Sequence, residues 1–226
     1  MIYVVKHREC KTPKLDGYKD LYVGDMYKEK KTDYNINYLN PYINELTALY
    51  YMWKNFDDDI IGLVHYRRYL LDENEEILSF DKAKELLNEY DFLFCERYVV
   101  GNGIYPNLRS EIGNEINEKT LDKYYHKLCE QIPDLDYYFK NTYLYPRNMF
   151  VCKKELLNSY CEWLFPIIIP LTEEFIKEDR LINEKDRLLG YMFERLFTYF
   201  ILKNNLRVLE LKCNETMDRL PVTEAK

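Results

Sequence analysis

The chain is poor in the residues from which many nucleotide, redox and metal motifs are built. Its 226 residues include 7 glycines, 8 prolines and 3 histidines. No glycines fall at GxGxxG or GxxxxGK[ST] spacing, so neither a dinucleotide-binding turn nor a P-loop is indicated. The Gly101-Asn102-Gly103 stretch is too short to cradle a phosphate. Cys10, Cys95, Cys129, Cys152, Cys161 and Cys213 form no CxxC pair and no zinc spacing. Most lie among apolar residues and read as reduced thiols of a cytoplasmic protein. Basic charge is also lacking. The net charge is -7 with no basic tail, which argues against nucleic-acid binding by phosphate neutralisation. No N-terminal apolar segment reads as a signal peptide. Ile167–Leu171 is apolar but far too short to span a bilayer.

What is present is ordinary in bulk and unusual in detail. Hydrophobic residues make up 47% and charged residues 31%, as in a typical globular protein. The length fits one domain, residues 1–226, with a helical C-terminal part from residue 155 or so. The 23 tyrosines stand out. Aromatic faces suit sugar rings, but they suit cores and partner surfaces equally.

The most informative stretch runs from Asn40 to Leu70. Leu46, Leu49, Tyr50 and Trp53 make one apolar stripe, which predicts a helix over Asn40–Asn55 with Pro41 in its first turn. FDDD then leads into IIGLV, an apolar run that predicts a buried strand over Ile60–Val64. His65, Tyr66, Arg67, Arg68 and Tyr69 follow at its C-terminal end. Ligands of open α/β sheets bind outside the carboxyl ends of strands, and an imidazole with two guanidiniums placed there suits an anion. If the strand runs on, Arg67 and Arg68 point to opposite faces and only one of them serves a site. One arginine could equally pair with a nearby carboxylate and do nothing more.

Other segments give the rest of an α/β pattern. Strands are predicted over Ile2–Lys6 with His7 after it, at LYVG, over Asp91–Cys95 running on toward Val100, over Asn148–Cys152 entered from Tyr145, and over Arg207–Leu211. Helices are predicted over Phe80–Tyr90, Thr120–Cys129, Glu155–Phe165 and Asp179–Leu202, with a turn and helix between Pro133 and Tyr143. Gly101 to Glu118 reads as a polar loop. In the last helical region Arg187 and Glu194 lie seven residues apart and share a face. Buried against an apolar wall, Glu194 would serve as a base; on the surface it would only pair with Arg195.

Several blocks of this chain resemble one bacterial family. They are IYVVKH, NELTALYYMWKN, IIGLVHYRRYL, YPRNMFVCKKELLNSYCEWLFPI and DRLLGYMFERLF, in that order. The family was first catalogued as a domain of unknown function, is tied to capsular and exopolysaccharide synthesis, and includes galactofuranosyltransferases. The resemblance implies a GT-A-like domain: a mixed, mainly parallel sheet flanked by helices. It implies a glycosyltransferase of the hexosyl type acting at the cytoplasmic side, with peripheral membrane association expected at most. The donor would be a nucleoside-diphosphate sugar, a UDP-sugar by preference, and the acceptor a saccharide or lipid-linked saccharide. It implies Glu194, His65 and Arg187 as catalytic and Arg67, Arg68 and His7 on the donor diphosphate. Asn35 in the DYNI segment, Asn40, Glu45 and Asn148 would contact nucleoside or sugar. His126 is a weaker acceptor-site candidate.

Many GT-A enzymes hold the diphosphate with a metal on an Asp-x-Asp after a central strand. Here HYRR stands in that place. Two guanidiniums are expected to replace the ion, with Mn²⁺ or Mg²⁺ on Asp57, Asp58 and Asp59 as the alternative. Asp186 is the next carboxylate to consider as base. Two other readings compete: a non-catalytic sugar-binding or scaffolding subunit, and a phosphodiester-cleaving set with Tyr69 as nucleophile.

Overall fold

A computed structural model describes residues 1–28, 34–112, 118–178 and 187–214. The chain opens with β1 (Ile2–Lys6) and β2 (Tyr18–Tyr22). Short α1 (Asn40–Ile43) and longer α2 (Leu46–Asn55) lead into β3 (Ile60–His65). Next come α3 (Phe80–Leu86), β4 (Phe92–Cys95), β5 (Tyr98–Val99) and α4 (Ile104–Ile112). Then follow α5 (Glu118–Gln131), α6 (Leu135–Tyr138), β6 (Tyr143–Leu144) and β7 (Phe150–Lys153). The long α7 (Lys154–Glu178), then α8 (Leu188–Glu194), α9 (Leu196–Lys203) and β8 (Val208–Leu211) complete it.

Six strands form one mixed sheet in the order β2-β1-β3-β7-β4-β8. The β1–β2, β1–β3 and β4–β8 pairings are parallel, while β7 runs antiparallel to both β3 and β4. The fold class is therefore the expected α/β one. The central strands are buried on both faces, as their continuous apolar runs require. Gly62 sits where a Cβ would come within 2.9 Å of the Phe150 carbonyl, so β7 leaves no room for a side chain there. Phe92, Phe94, Phe150 and Tyr160 gather around Phe197, with ring centroids 4.0–5.5 Å from it. Burying each such ring stabilises the fold by roughly 1.5–3 kcal/mol.

Several boundaries differ from the expected ones. The predicted helix over Asn40–Asn55 is broken at Asn44, which adopts φ 53°. The side chain of Asn40 donates to the Asn44 carbonyl at 3.0 Å and to Thr47 Oγ1 at 2.8 Å, which stabilises the break. The strand expected to run to Val100 stops at Cys95, and β5 pairs instead with β6 in a separate ribbon. Part of the polar loop after Gly103 is the helix α4, whose Ile104, Leu108 and Ile112 are buried on one face. The helix expected to end at Phe165 runs on to Glu178 through Pro166 and Pro170. Both prolines are exposed, and burial of Ile168, Leu171 and Phe175 carries the helix past them. The last helical region is split into α8 and α9, and residues 179–186 of it lie outside the described residues. No helix among the described residues is long and apolar enough to cross a membrane.

Candidate active site

The carboxyl ends of β1 and β3 and the entry to β7 open into one cleft of about 1010 Å³. It brings together His7, Asn40, Glu45, His65, Arg67, Arg68, Arg187 and Glu194. Each arrives from a different piece of local structure. His7 ends β1. The chain turns sharply after β3, where the Arg68 N–H donates to the His65 carbonyl at 3.0 Å. That turn overturns the expectation that Arg67 and Arg68 point apart. The strand stops at His65, so alternation ends there and both arginines line the cleft. Tyr66 lies between them and the β1 end. Its ring carries the Arg67 guanidinium at 4.9 Å, the Arg8 guanidinium at 5.3 Å and the edge of His7 at 5.1 Å.

The break in the first helix has a consequence here. It carries Asn44 and Glu45 into the cleft wall rather than around a helix surface. Asn44 Oδ1 accepts from Arg187 Nε at 2.8 Å. Gly190 of α8 packs against the same Asn44; a Cβ there would meet Asn44 Nδ2 at 1.9 Å. Arg187 begins α8 in a left-handed conformation, and Glu194 ends it on the same cleft. The alternative of a surface Glu194–Arg195 pair is not what forms. Arg195 is buried and turns away to Glu111 at 2.7 Å and Asn107 at 2.8 Å.

Two candidates fall elsewhere. Asn35 is outside the cleft; its Oδ1 accepts from the Asn37 N–H at 3.1 Å in a local turn. Asn148 lies behind the cleft wall at 2% exposure and donates through Nδ2 to Glu45 Oε1 at 3.2 Å. It does not line the cleft with Arg187 and Glu194 as expected, because the backbone turns before β7 and buries its side chain. Residues missed from sequence also line the cleft, Arg147, Asn44, Asp25 and Tyr191 among them. The signal for Arg147 was the Pro146-Arg147-Asn148 run before a strand, since Asn tolerates the left-handed conformation that turns require. Arg147 and Asn148 have φ 74° and 49°. Of the six non-glycine residues with positive φ among those described, Asn44, Arg147, Asn148 and Arg187 surround this cleft. Such strain costs of order 1–3 kcal/mol per residue and gathers at functional sites.

Burial dominates the site's acid–base chemistry. The Glu194 carboxyl is pushed up to about 7 by burial and by the Glu45 charge, against Arg195 and the hydrogen bond from the Arg147 N–H. Burial lowers His65, Glu45 opposes, and Arg68 lowers it further; Nε2 is buried without a hydrogen-bond partner. A ring held neutral in this way is a poor partner for a phosphate. His7 is lowered by burial and by Arg8 and Arg187, with Glu45 opposing.

The remaining sequence candidates lie outside this chemistry. Tyr69 is fully buried and does not line the cleft, so its hydroxyl is not placed as a nucleophile. His126 is on α5, bonded through Nδ1 to the Asp122 carbonyl at 2.7 Å, and is outside the cleft. Asp57, Asp58 and Asp59 stand at the opposite end of β3. Asp58 accepts from Tyr3 Oη at 2.7 Å and faces the Met1 amino group at 3.7 Å. Asp186 and Asp33 lie outside the described residues. Among the described residues no group of three or more His, Cys, Asp and Glu side chains is placed to hold a metal ion.

A profile of the family described as "Domain of unknown function (DUF4422)" matches residues 1–205. The chain belongs to this family. Among curated proteins none matches it. Its fold is similar to a solved structure, the apo structure of WbbM, a bifunctional glycosyltransferase, with a TM-score of 0.76 and 25% identity. The similarity covers 94% of this chain and 44% of that one, so this DUF4422 chain spans less than half of that enzyme's length.

Proposed function

We propose that this DUF4422 chain is a glycosyltransferase that moves a sugar from a nucleoside-diphosphate sugar to a hydroxyl of a saccharide or lipid-linked saccharide. The observation that carries this reading is the meeting of Arg67, Arg68, Arg147 and Arg187 with a carboxyl of raised proton affinity in one cleft. Four guanidiniums suit a diphosphate, which they can grip by paired hydrogen bonds while staying charged at any working pH. As the sugar C1–O bond to the diphosphate breaks, negative charge grows on the leaving oxygen, and Arg67 and Arg68 stabilise it. The acceptor oxygen forms the new bond to C1, and its proton passes to Glu194. A carboxylate whose proton affinity matches neutral pH suits that task. The likeness to WbbM supports the same reading. UDP-sugars are the first donors to test, with galactofuranose among the sugars, and a polysaccharide of the cell surface is the acceptor class.

The diphosphate is held in this reading by guanidiniums without a divalent ion. The test is release of nucleoside diphosphate from a panel of nucleotide sugars, with and without a chelator. Release that persists in chelator supports both parts. Release abolished by chelator and restored by Mn²⁺ refutes the guanidinium part. No release from any donor, alone or with saccharide acceptors, refutes the whole.

A further inference from the structure

Two carboxylates share this cleft, and consecutive residues of one strained turn hold them. The Arg147 backbone N–H donates to Glu194 Oε1, and Asn148 Nδ2 donates to Glu45 Oε1 at 3.2 Å. Both turn residues are left-handed, at φ 74° and 49°. Backbone strain of this kind persists only where the surroundings impose it. Asn148 is 2% exposed, and its Oδ1 is buried without a hydrogen-bond partner. Turning the amide over would set Oδ1 against the Glu45 carboxylate, so the arrangement is fixed by the need of Glu45 for a donor. The turn thus leaves one polar atom unsatisfied in order to hold Glu45.

We propose that the Arg147–Asn148 turn holds Glu45 and Glu194 in one cleft, with Glu45 the positioning residue whose charge decides when Glu194 is free to act as base. This rests on the assignment of Glu194 above. A negative charge facing a carboxyl in a partly dry site disfavours its ionisation, so the carboxyl retains its proton to higher pH.

The groups facing Glu194 single out Glu45 among them. They are Arg147 from the turn, Arg195 beside it, Glu111 from α4, Tyr160 from α7, Cys95 from β4 and Glu45 from the α1–α2 break. Arg195 and Glu111 are bonded to each other at 2.7 Å and act on Glu194 in opposite directions. Burial keeps Tyr160 and Cys95 neutral. Arg147 approaches through its N–H, which favours the charged form of Glu194. Arg67, Arg68 and Arg187 share the cleft, and His65 and His7 face Glu45; among the charges, Glu45 is the one that most raises the proton affinity of Glu194.

The experiment is a pH titration of the Glu194 side-chain carboxyl by ¹³C NMR on the glutamate-labelled chain. Glu194→Gln identifies the resonance, and no substrate is needed. The wild-type midpoint is expected at about 7. Glu45→Gln keeps the shape and the acceptor for Asn148 but removes the charge, and should lower the midpoint by about one unit, a roughly tenfold loss of proton affinity. Glu45→Asp keeps the charge and should hold the midpoint closer to wild type than Gln does. An unmoved midpoint in Glu45→Gln, or equal shifts for Gln and Asp, overturns the proposal. The acid limb of kcat/KM for nucleoside-diphosphate release should move with the midpoint. A raised donor KM with the limb unmoved would make Glu45 a substrate ligand and overturn the proposal too. A midpoint that shifts as expected in a chain with no release from any donor supports the carboxylate pair and refutes the transferase reading, so the two failures are separable.

Discussion

Strand β3 carries a run of charge at each end. Asp57-Asp58-Asp59 precedes it, and His65-Tyr66-Arg67-Arg68 begins at its last residue. Both runs are four residues or fewer beside the same buried strand. The acidic end is tied into the scaffold. Asp58 is taken up by Tyr3 and the chain's amino group, and the Asp59 carbonyl accepts from the Lys154 N–H at 2.8 Å. The hollow beside Asp57 is small, about 380 Å³, and Lys154 Nζ is already bonded to the Met52 and Trp53 carbonyls. At the basic end the chain turns back on itself, and the arginines project into the large cleft with Glu45 and Glu194 opposite. A charge run becomes a site when the backbone leaves the sheet and other elements bring unlike groups to meet it. At the acidic end, Asp58 is held within the scaffold and ties the chain's start to β3.

This contrast can be broken most directly at Glu194. If the basic end is catalytic, Glu194→Gln should lower turnover by about 10²- to 10⁴-fold with the donor KM little changed, since it removes a proton acceptor rather than a binding contact. Steady-state nucleoside-diphosphate release measures this, and turnover within threefold of wild type would reassign the base. The arginines come next. Because both line the cleft, Arg67→Ala and Arg68→Ala should each weaken donor binding by about 2–5 kcal/mol, read by calorimetry with the nucleoside diphosphate. Lys at either position should restore only part, since it keeps the charge and loses the fork. Undiminished binding in both Ala variants would move the diphosphate to Arg147 and Arg187.

Glu194 should also reveal itself through stability. Its proton affinity is raised in the folded state, so its stabilising contribution is complete below its unfolded value, near 4.5, and is lost as pH rises through about 7. Glu194→Gln should therefore be more stable than wild type by about 1–3 kcal/mol at pH 8, with the gap closing by pH 5. Urea unfolding at the two pH values reads this, and a gap independent of pH would mean that Glu194 is not titrating as described. The smallest effect is expected at the other end of the strand. Asp58→Asn weakens the contact with Tyr3 and should cost about 1 kcal/mol of stability while leaving turnover within twofold. A large loss of turnover there, repaired by divalent ion, would make the acidic end the functional one.

The sequence alone determined the alternation of apolar runs and amphipathic stripes, and with it the α/β class and the main buried strands. Period and β-branching are local properties, and burial on both faces leaves a continuous apolar run. It also pointed to HYRR, because basic residues at a strand's carboxyl end are visible without knowing their neighbours. Tertiary structure decided the rest. The break at Asn44 cannot be read from a helical stripe, since it depends on Asn40 and Thr47 closing on the Asn44 carbonyl and on Gly190 leaving room for the Asn44 side chain. That break brings Glu45 into the cleft. Asn148 was singled out as a ligand residue and stands as a support, because two left-handed residues turn its side chain inward. The proton affinity of Glu194 belongs to no residue pattern either. It comes from burial and from a carboxylate 149 positions earlier in the chain, brought close only because α1, α8 and the turn before β7 converge on one wall.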